Sequence, residues 1–119
     1  MALSRFRVRS PQRDRDTDLD RMQRLRHSLR DIRVEMERER EGLRDRYEKV
    51  TADAAFSQLA LEDDSASPGL SSKIDDMTET MIHYTKRIAS LEEQIEFVTD
   101  LDSRVELFSQ QNTGDKAPA

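Results

Sequence analysis

Alternating acidic residues are the first candidates for chemistry, because carboxylates spaced in this way can bind calcium. Asp14, Asp16 and Asp18 have the spacing of the first three ligands of a calcium-binding loop. The match then fails, since Leu19 stands where the loop requires glycine and Leu25 where it requires a bidentate glutamate. We therefore interpret the three aspartates as residues of the first turns of a helix, where negative charge interacts favourably with the helix dipole.

Other patterns that support catalysis or metal binding are missing from the sequence. The chain has no cysteine, so it has no disulfide framework and no thiolate zinc site. Its two histidines, His27 and His83, fall far apart in the hairpin predicted below and could not share a metal ion. No Ser/His/Asp spacing, glycine-rich phosphate loop or nucleophile elbow occurs. We therefore predict no catalytic residue, no cofactor and no metal site, and a protein that is not an enzyme.

Arginines are concentrated at the N-terminus, where they form a basic arm: Arg5, Arg7, Arg9, Arg13 and Arg15. A flexible arm of this kind could bind nucleic acid, anionic lipid or an acidic protein surface. The alternative is a solvated terminus without a function of its own. Because the net charge of the whole chain is −5, we disfavour nucleic-acid binding but keep it as an alternative through this arm.

The composition favours long helices that share one narrow apolar seam. Of the 119 residues, 38% are charged and only 34% are apolar, which is too little apolar material for a thick core. No segment has the ~20 continuous apolar residues of a membrane-spanning helix, and the N-terminus has no apolar core of a signal peptide. A cytoplasmic protein without a membrane span is the expectation. The N-terminal half is basic and the rest acidic, which suggests that the two halves lie against each other.

The first helix is predicted over residues 17–61, with Thr17 as its N-cap. A gap in its apolar pattern predicts a stutter near Arg40, and Gly42 weakens the helix there by about 1 kcal/mol relative to alanine. We interpret Gly42 as a tolerated imperfection, with a hinge as the alternative. The predicted seam residues follow the steps of three and four of a coiled coil; they are Met22, Leu25, Leu29, Ile32 and Met36, then Leu43, Tyr47, Val50 and Ala54.

An acidic turn is predicted over residues 62–68, where Pro68 disfavours helix at the residue before it. The second helix is predicted over residues 69–111, with Ser67 or Ser72 as its N-cap. Its seam runs without a missed step from Leu70 to Val98 and then slips by one position. The seam residues after the slip are Leu101, Val105 and Phe108.

A short connection makes two such helices antiparallel neighbours. Pairing residues whose numbers sum to about 130 places apolar residues opposite apolar residues along the whole seam. We therefore predict an all-α fold, in which two long helices form an antiparallel coiled-coil hairpin over residues 17–111. A disordered basic arm, residues 1–16, precedes it, and a disordered tail, residues 112–119, follows it. Pairing between chains, in a parallel or swapped dimer, is the alternative.

The turn of this hairpin carries an acidic tip, Glu62, Asp63 and Asp64. A coiled-coil finger with acidic tip residues resembles the bacterial factors that enter the secondary channel of RNA polymerase. That resemblance implies a regulator of a nucleic-acid machine, and covers architecture and tip charge only. The alternative is an ordinary charged loop between helices.

A bare helical hairpin of this size with a basic start also resembles the stalk proteins of flagellar and type III export. Such a resemblance implies an adaptor or chaperone-like component that binds other proteins. Apolar residues outside the predicted seam, among them Val34, Phe56 and Ile82, leave surface for a partner. The predicted partner-docking residues cluster near the open end of the hairpin; they are Phe97, Leu101, Leu107 and Phe108. Protein partners, including a second copy in a dimer of hairpins, are therefore expected.

Overall fold

The computed structural model describes residues 10–64 and 68–114. Helix α1 comprises Pro11–Asp64, helix α2 comprises Pro68–Ser109, and a π-helical turn, Gln110–Gly114, follows α2. The two long helices pack against each other, which confirms the predicted all-α helical hairpin.

Helix α1 begins at Pro11, earlier than the predicted start at residue 17. The Ser10 side chain is its N-cap, because Ser10 Oγ accepts a hydrogen bond of 3.3 Å from the backbone N–H of Arg13. Proline suits the first helical position, since its missing N–H would have no partner inside the helix. Thr17 therefore lies within α1, and the predicted arm of residues 1–16 becomes helical from Pro11 onward. Residues 1–9 lie outside the described part of the chain.

The connection between the helices is shorter than the predicted turn of residues 62–68. Helix α1 continues to Asp64, and α2 begins at Pro68, so proline again occupies the first helical position. Ser72 therefore lies inside α2 and cannot be its N-cap, whereas Ser67 is outside the described residues.

The seam of α1 differs from the prediction in its N-terminal half. Leu25 and Ile32 are 44% and 46% exposed. The seam instead contains Arg26 and Arg33, the residues directly after Leu25 and Ile32, and both are half-buried. Arg40, seven residues after Arg33, is half-buried in the seam as well. Long arginine side chains can bury their aliphatic stems in a seam while the guanidinium group reaches its edge.

The heptad pattern of α1 is therefore continuous, and the predicted stutter is wrong. Leu43, three residues beyond Arg40, is buried at 8% exposure, and Gly42 lies inside uninterrupted helix. A Cβ atom at Gly42 would meet nothing within 4 Å, so no close contact requires glycine at this position.

The seam of α2 also continues without the predicted slip. Asp102 and Ser109 are buried at 8% and 9% exposure, and they extend the heptad line of Ile95 in steps of seven. Phe108, predicted in the seam, is instead 54% exposed. The apolar pattern assigns Leu101 and Phe108 to the seam because the actual seam residues next to them, Asp102 and Ser109, are polar.

The chain divides into two compact units. The terminal unit contains residues 10–34 and 96–114 of the described chain, and the loop unit is Glu35–Ile95 without residues 65–67. Within the described residues, all three buried apolar side chains belong to the loop unit; they are Leu43, Leu91 and Ile95. The large exposed hydrophobic residues of the terminal unit are Leu19, Leu25, Ile32, Val34, Phe97, Leu107 and Phe108.

Contacts between α1 and α2 have the predicted antiparallel register in each unit. In the terminal unit, Arg26 Nε lies 2.8 Å from Asp102 Oδ1. In the loop unit, the Thr51 hydroxyl lies 3.3 Å from the sulfur of Met81. The residue numbers of both pairs sum to about 130, as predicted from the apolar pattern.

Candidate interaction surface

The two sides of the seam carry different side chains. Writing the heptad as abcdefg, with seam residues at a and d, Arg26 and Asp102 are a residues. In an antiparallel pair the e residues of both helices share one flank and the g residues share the other. The loop unit illustrates both flanks, because Arg44 and Glu92 at e lie 3.0 Å apart, while Arg87 and Glu39 at g lie 2.8 Å apart.

The g flank of the terminal unit is apolar over one stretch, which comprises Leu25 and Ile32 from α1 and Leu101 and Phe108 from α2. The g position one heptad before Leu25 holds Asp18. Helices with apolar residues at a, d and also g are typical of bundles with more than two helices, whereas a two-stranded coiled coil needs only a and d. The loop unit has charged residues at g, such as Glu39 and Arg87, so the apolar flank is particular to the terminal unit.

An open apolar depression follows this flank, which we call the terminal groove. It is lined by Met22, Phe97, Asp100, Leu101, Arg104, Val105 and Phe108. Phe97 and Phe108 are 65% and 54% exposed, and a neighbouring depression shares Met22 and Phe108. Three of the four predicted docking residues therefore line one groove.

Leu107, the fourth predicted docking residue, is not among the residues that line the terminal groove. It is 55% exposed and occupies heptad position f, which faces away from the partner helix. Its exposure matches that of Phe108, so the two adjacent residues form a matched pair for mutagenesis.

Near the opposite flank, charged side chains surround the a residue Asp102. Besides its bond to Arg26, Asp102 accepts a hydrogen bond of 3.4 Å from Arg30 Nε, and Arg26 lies 3.4 Å from Glu106. The Asp102 and Arg26 side chains are only 12% and 20% exposed. The apolar pattern did not predict this cluster, although Ile95, Asp102 and Ser109 follow one another at the seven-residue spacing of a heptad.

Hydrogen bonding across the seam shifts the ionisation of the Arg26–Asp102 pair. The hydrogen bond from Arg26 lowers the pKa of Asp102 below its ordinary value of 3.8, although partial burial of the carboxylate acts in the opposite direction. The same hydrogen bond raises the pKa of Arg26. The charged pair is thus the favoured form across the seam.

Acid is expected to remove the contribution of this pair to folding. Because the folded pKa of Asp102 is lowered, the pair contributes fully above the ordinary value of 3.8 and is lost as the pH falls through the folded value. The urea midpoint of the wild-type chain should therefore fall more steeply below pH 3.8 than that of the double variant Arg26→Leu/Asp102→Ile. Circular dichroism at a series of pH values measures both midpoints. Parallel pH profiles for the two proteins would contradict the prediction.

The acidic tip and the basic arm are only partly described. Glu62 and Asp63 are exposed at the end of α1, while the side chain of Asp64 lies outside the described residues. Arg13 and Arg15 are exposed near the start of α1, and Arg15 donates a hydrogen bond of 2.8 Å to Gln12. The other arginines of the predicted arm, Arg5, Arg7 and Arg9, lie outside the described residues.

The alternating aspartates lie on helix α1, with Asp14 in its first turn. Among residues 10–64 and 68–114, no group of three His, Cys, Asp or Glu side chains is arranged to hold a metal ion. His27 lies 3.5 Å from Asp31, one helical turn away, and the ring of His83 lies 6.4 Å from that of Tyr84.

Neither long helix has, in its described residues, an apolar stretch that could cross a membrane. Comparisons of the chain with protein-family models, with curated proteins and with solved structures find no match.

Proposed function

We propose that this chain is a non-enzymatic coiled-coil interaction protein that takes an apolar helical face into its terminal groove. The observation that carries this proposal is the groove itself, in which Phe97 and Phe108 stay more than half exposed beside Leu101. Contiguous exposed apolar side chains on one face are typical of protein-binding surfaces. An amphipathic helix offers the residue spacing that fits along such a groove.

The function would be that of a cytoplasmic adaptor or chaperone-like component, in line with the resemblance to export stalk proteins. The charged residues that line the groove, Asp100 and Arg104, would orient the bound helix and affect the encounter rate. Regulation of a nucleic-acid machine, through the acidic tip or the basic arm, is the alternative that the sequence leaves open.

Affinity capture from the native cell lysate tests the proposal, with bound proteins identified by mass spectrometry at low and high salt. The full chain is compared with Phe108→Asp and with the matched control Leu107→Asp, whose side chain is equally exposed but outside the groove. We expect proteins that persist at high salt on the wild-type and control chains and are lost from Phe108→Asp.

Two other outcomes would support the alternative function instead. Capture of nucleic acid alone, released by salt, would point to the basic arm. Loss of capture on neutralising Asp63 and Asp64, with Phe108→Asp still active, would point to the acidic tip. Identical protein capture by all three chains would contradict docking in the terminal groove.

A further inference from the structure

From the terminal unit we infer that the helical face bound in the groove is that of a second copy of this chain, in a two-fold symmetric dimer. This inference rests on the proposed function, because it names the occupant of the same groove. Three observations carry it: the small apolar core of the terminal unit, the symmetry of the groove, and the opposite charges that line it.

The terminal unit lacks the apolar burial that the loop unit has. Its buried side chains, within the described residues, are the polar Asp102 and Ser109, while its apolar g residues Leu25, Ile32 and Phe108 are exposed. Small helical units with little buried apolar surface commonly gain stability through oligomerisation. A second terminal unit would supply a large apolar surface to cover the g flank and turn two helices into four.

The four α2 residues that line the groove at one face, which we call the α2 stripe, have the same spacing when read in either direction. Phe97, Leu101, Arg104 and Phe108 follow one another at steps of four, three and four. Two copies of α2 crossing antiparallel at the centre of this stripe would place Phe97 of one copy against Phe108 of the other. Leu101 would then face the aliphatic stem of Arg104. Self-complementarity of this kind is what a two-fold interface requires.

The apolar g residues of helix α1 are arranged symmetrically about the same two-fold axis. Leu25 and Ile32, its apolar g residues, are centred next to Ser28. The hairpin register places Ser28 opposite the centre of the α2 stripe, since Arg26 and Arg30 both contact Asp102. One axis would therefore bring Leu25 of each copy against Ile32 of the other.

The charges that line the groove are also self-complementary. Asp100 and Arg104 form an exposed ion pair of 3.3 Å within α2. In the antiparallel crossing, Arg104 of each copy would come close to Asp100 of the other. A dimer would thus have two such ion pairs across its interface, and each would join a cation of one copy to an anion of the other.

Sedimentation equilibrium of the full chain tests the inference. We expect a concentration-dependent dimer that Phe108→Asp weakens about 100-fold or more, since a buried aromatic anchor typically contributes this much. Leu107→Asp should leave the dimer intact, and circular dichroism should show that both variants remain helical.

Charge reversal distinguishes a second copy from any other occupant. Asp100→Arg alone and Arg104→Asp alone should each weaken the dimer by about tenfold, because both copies then present like charges. An equimolar mixture of the two variants should restore association, since the mixed dimer again pairs cations of one copy with anions of the other at both contacts. A different partner protein would not produce this mutual rescue.

Failure of this inference and failure of the proposed function can be told apart. A wild-type chain that stays monomeric, or a dimer that Phe108→Asp leaves intact, would overturn self-association. If the monomeric chain still captures proteins that Phe108→Asp loses, the groove keeps its proposed function with another occupant. If Phe108→Asp changes neither association nor capture, both proposals fall.

Discussion

Replacing Asp102 with alanine is expected to lower the free energy of unfolding by about 2 kcal/mol. Breaking a fully buried ion pair typically costs about 3–5 kcal/mol, because the remaining charge is left without its partner. A smaller value is expected here, since Arg26 keeps 20% exposure and still has Glu106 within 3.4 Å. Urea unfolding followed by circular dichroism measures the loss. The control Asp31→Ala, at an exposed aspartate on the outer side of α1, should change stability by less than about 0.5 kcal/mol.

Removing both charges is expected to have the opposite effect. The double variant Arg26→Leu/Asp102→Ile would place apolar side chains at two neighbouring a positions across the seam and should be more stable than the wild type by about 1 kcal/mol or more. If the double variant is instead less stable than Asp102→Ala, the pair stabilises the seam more than apolar packing does. That result would contradict our account of the cluster.

Truncating Leu91 is expected to have the largest effect of any single apolar substitution in the loop unit. Leu91 is fully buried, at 0% exposure. Leu91→Ala should lower the free energy of unfolding by about 3 kcal/mol, through lost transfer free energy and the cavity that remains. Urea unfolding again measures the change. This is a large share of the stability of a small domain, which is typically about 5–15 kcal/mol.

Ile82→Ala is the matched control for Leu91→Ala, because Ile82 lies on the same helix and in the same unit but is 50% exposed. Its truncation should change stability by less than about 1 kcal/mol. Equal losses from the two substitutions would mean that Leu91 does not occupy the packed centre of the seam.

The hairpin and most of the α2 seam could be predicted from sequence because apolar residues carry the signal there. From Leu70 to Val98, each seam position holds an apolar or aromatic residue, so the three-and-four spacing has one interpretation. Val34, Phe56 and Ile82 are also predicted correctly outside the seam, and each is exposed.

The prediction for the N-terminal seam of α1 was wrong because a pattern of apolar residues counts arginine as polar and ignores its aliphatic stem. Leu25 and Ile32 were therefore assigned to the seam, whereas the seam continues through arginines placed seven residues apart. Strict extrapolation of the heptad backward from Tyr47 would have found them and removed the stutter. Leu101 and Phe108 were assigned to the seam because the seam positions beside them hold the polar residues Asp102 and Ser109. Their prediction as docking residues rested separately on the cluster of apolar residues near the open end.

The groove could be predicted only as a cluster of leftover apolar residues. Sequence proximity joined Leu107 with Phe108, yet one residue along a helix is a rotation of about 100°, which separates their directions. The pairing of Arg26 with Asp102 depends on the exact register of two helices, and this register could not be fixed to one residue from the apolar pattern.

The arginines at successive a positions of α1 determine which helix α1 can pair with in a coiled coil. In a parallel pair of identical helices, each a residue meets its own copy. Two α1 helices zipped in this way would oppose Arg26, Arg33 and Arg40 with themselves, and two α2 helices would oppose Asp102 with itself. Either homotypic zipper brings like charges together in a narrow seam, which strongly disfavours it. Only the pairing of α1 with α2 joins Arg26 to a carboxylate, so the seam charges select the hairpin over the homotypic parallel dimers of the same two helices.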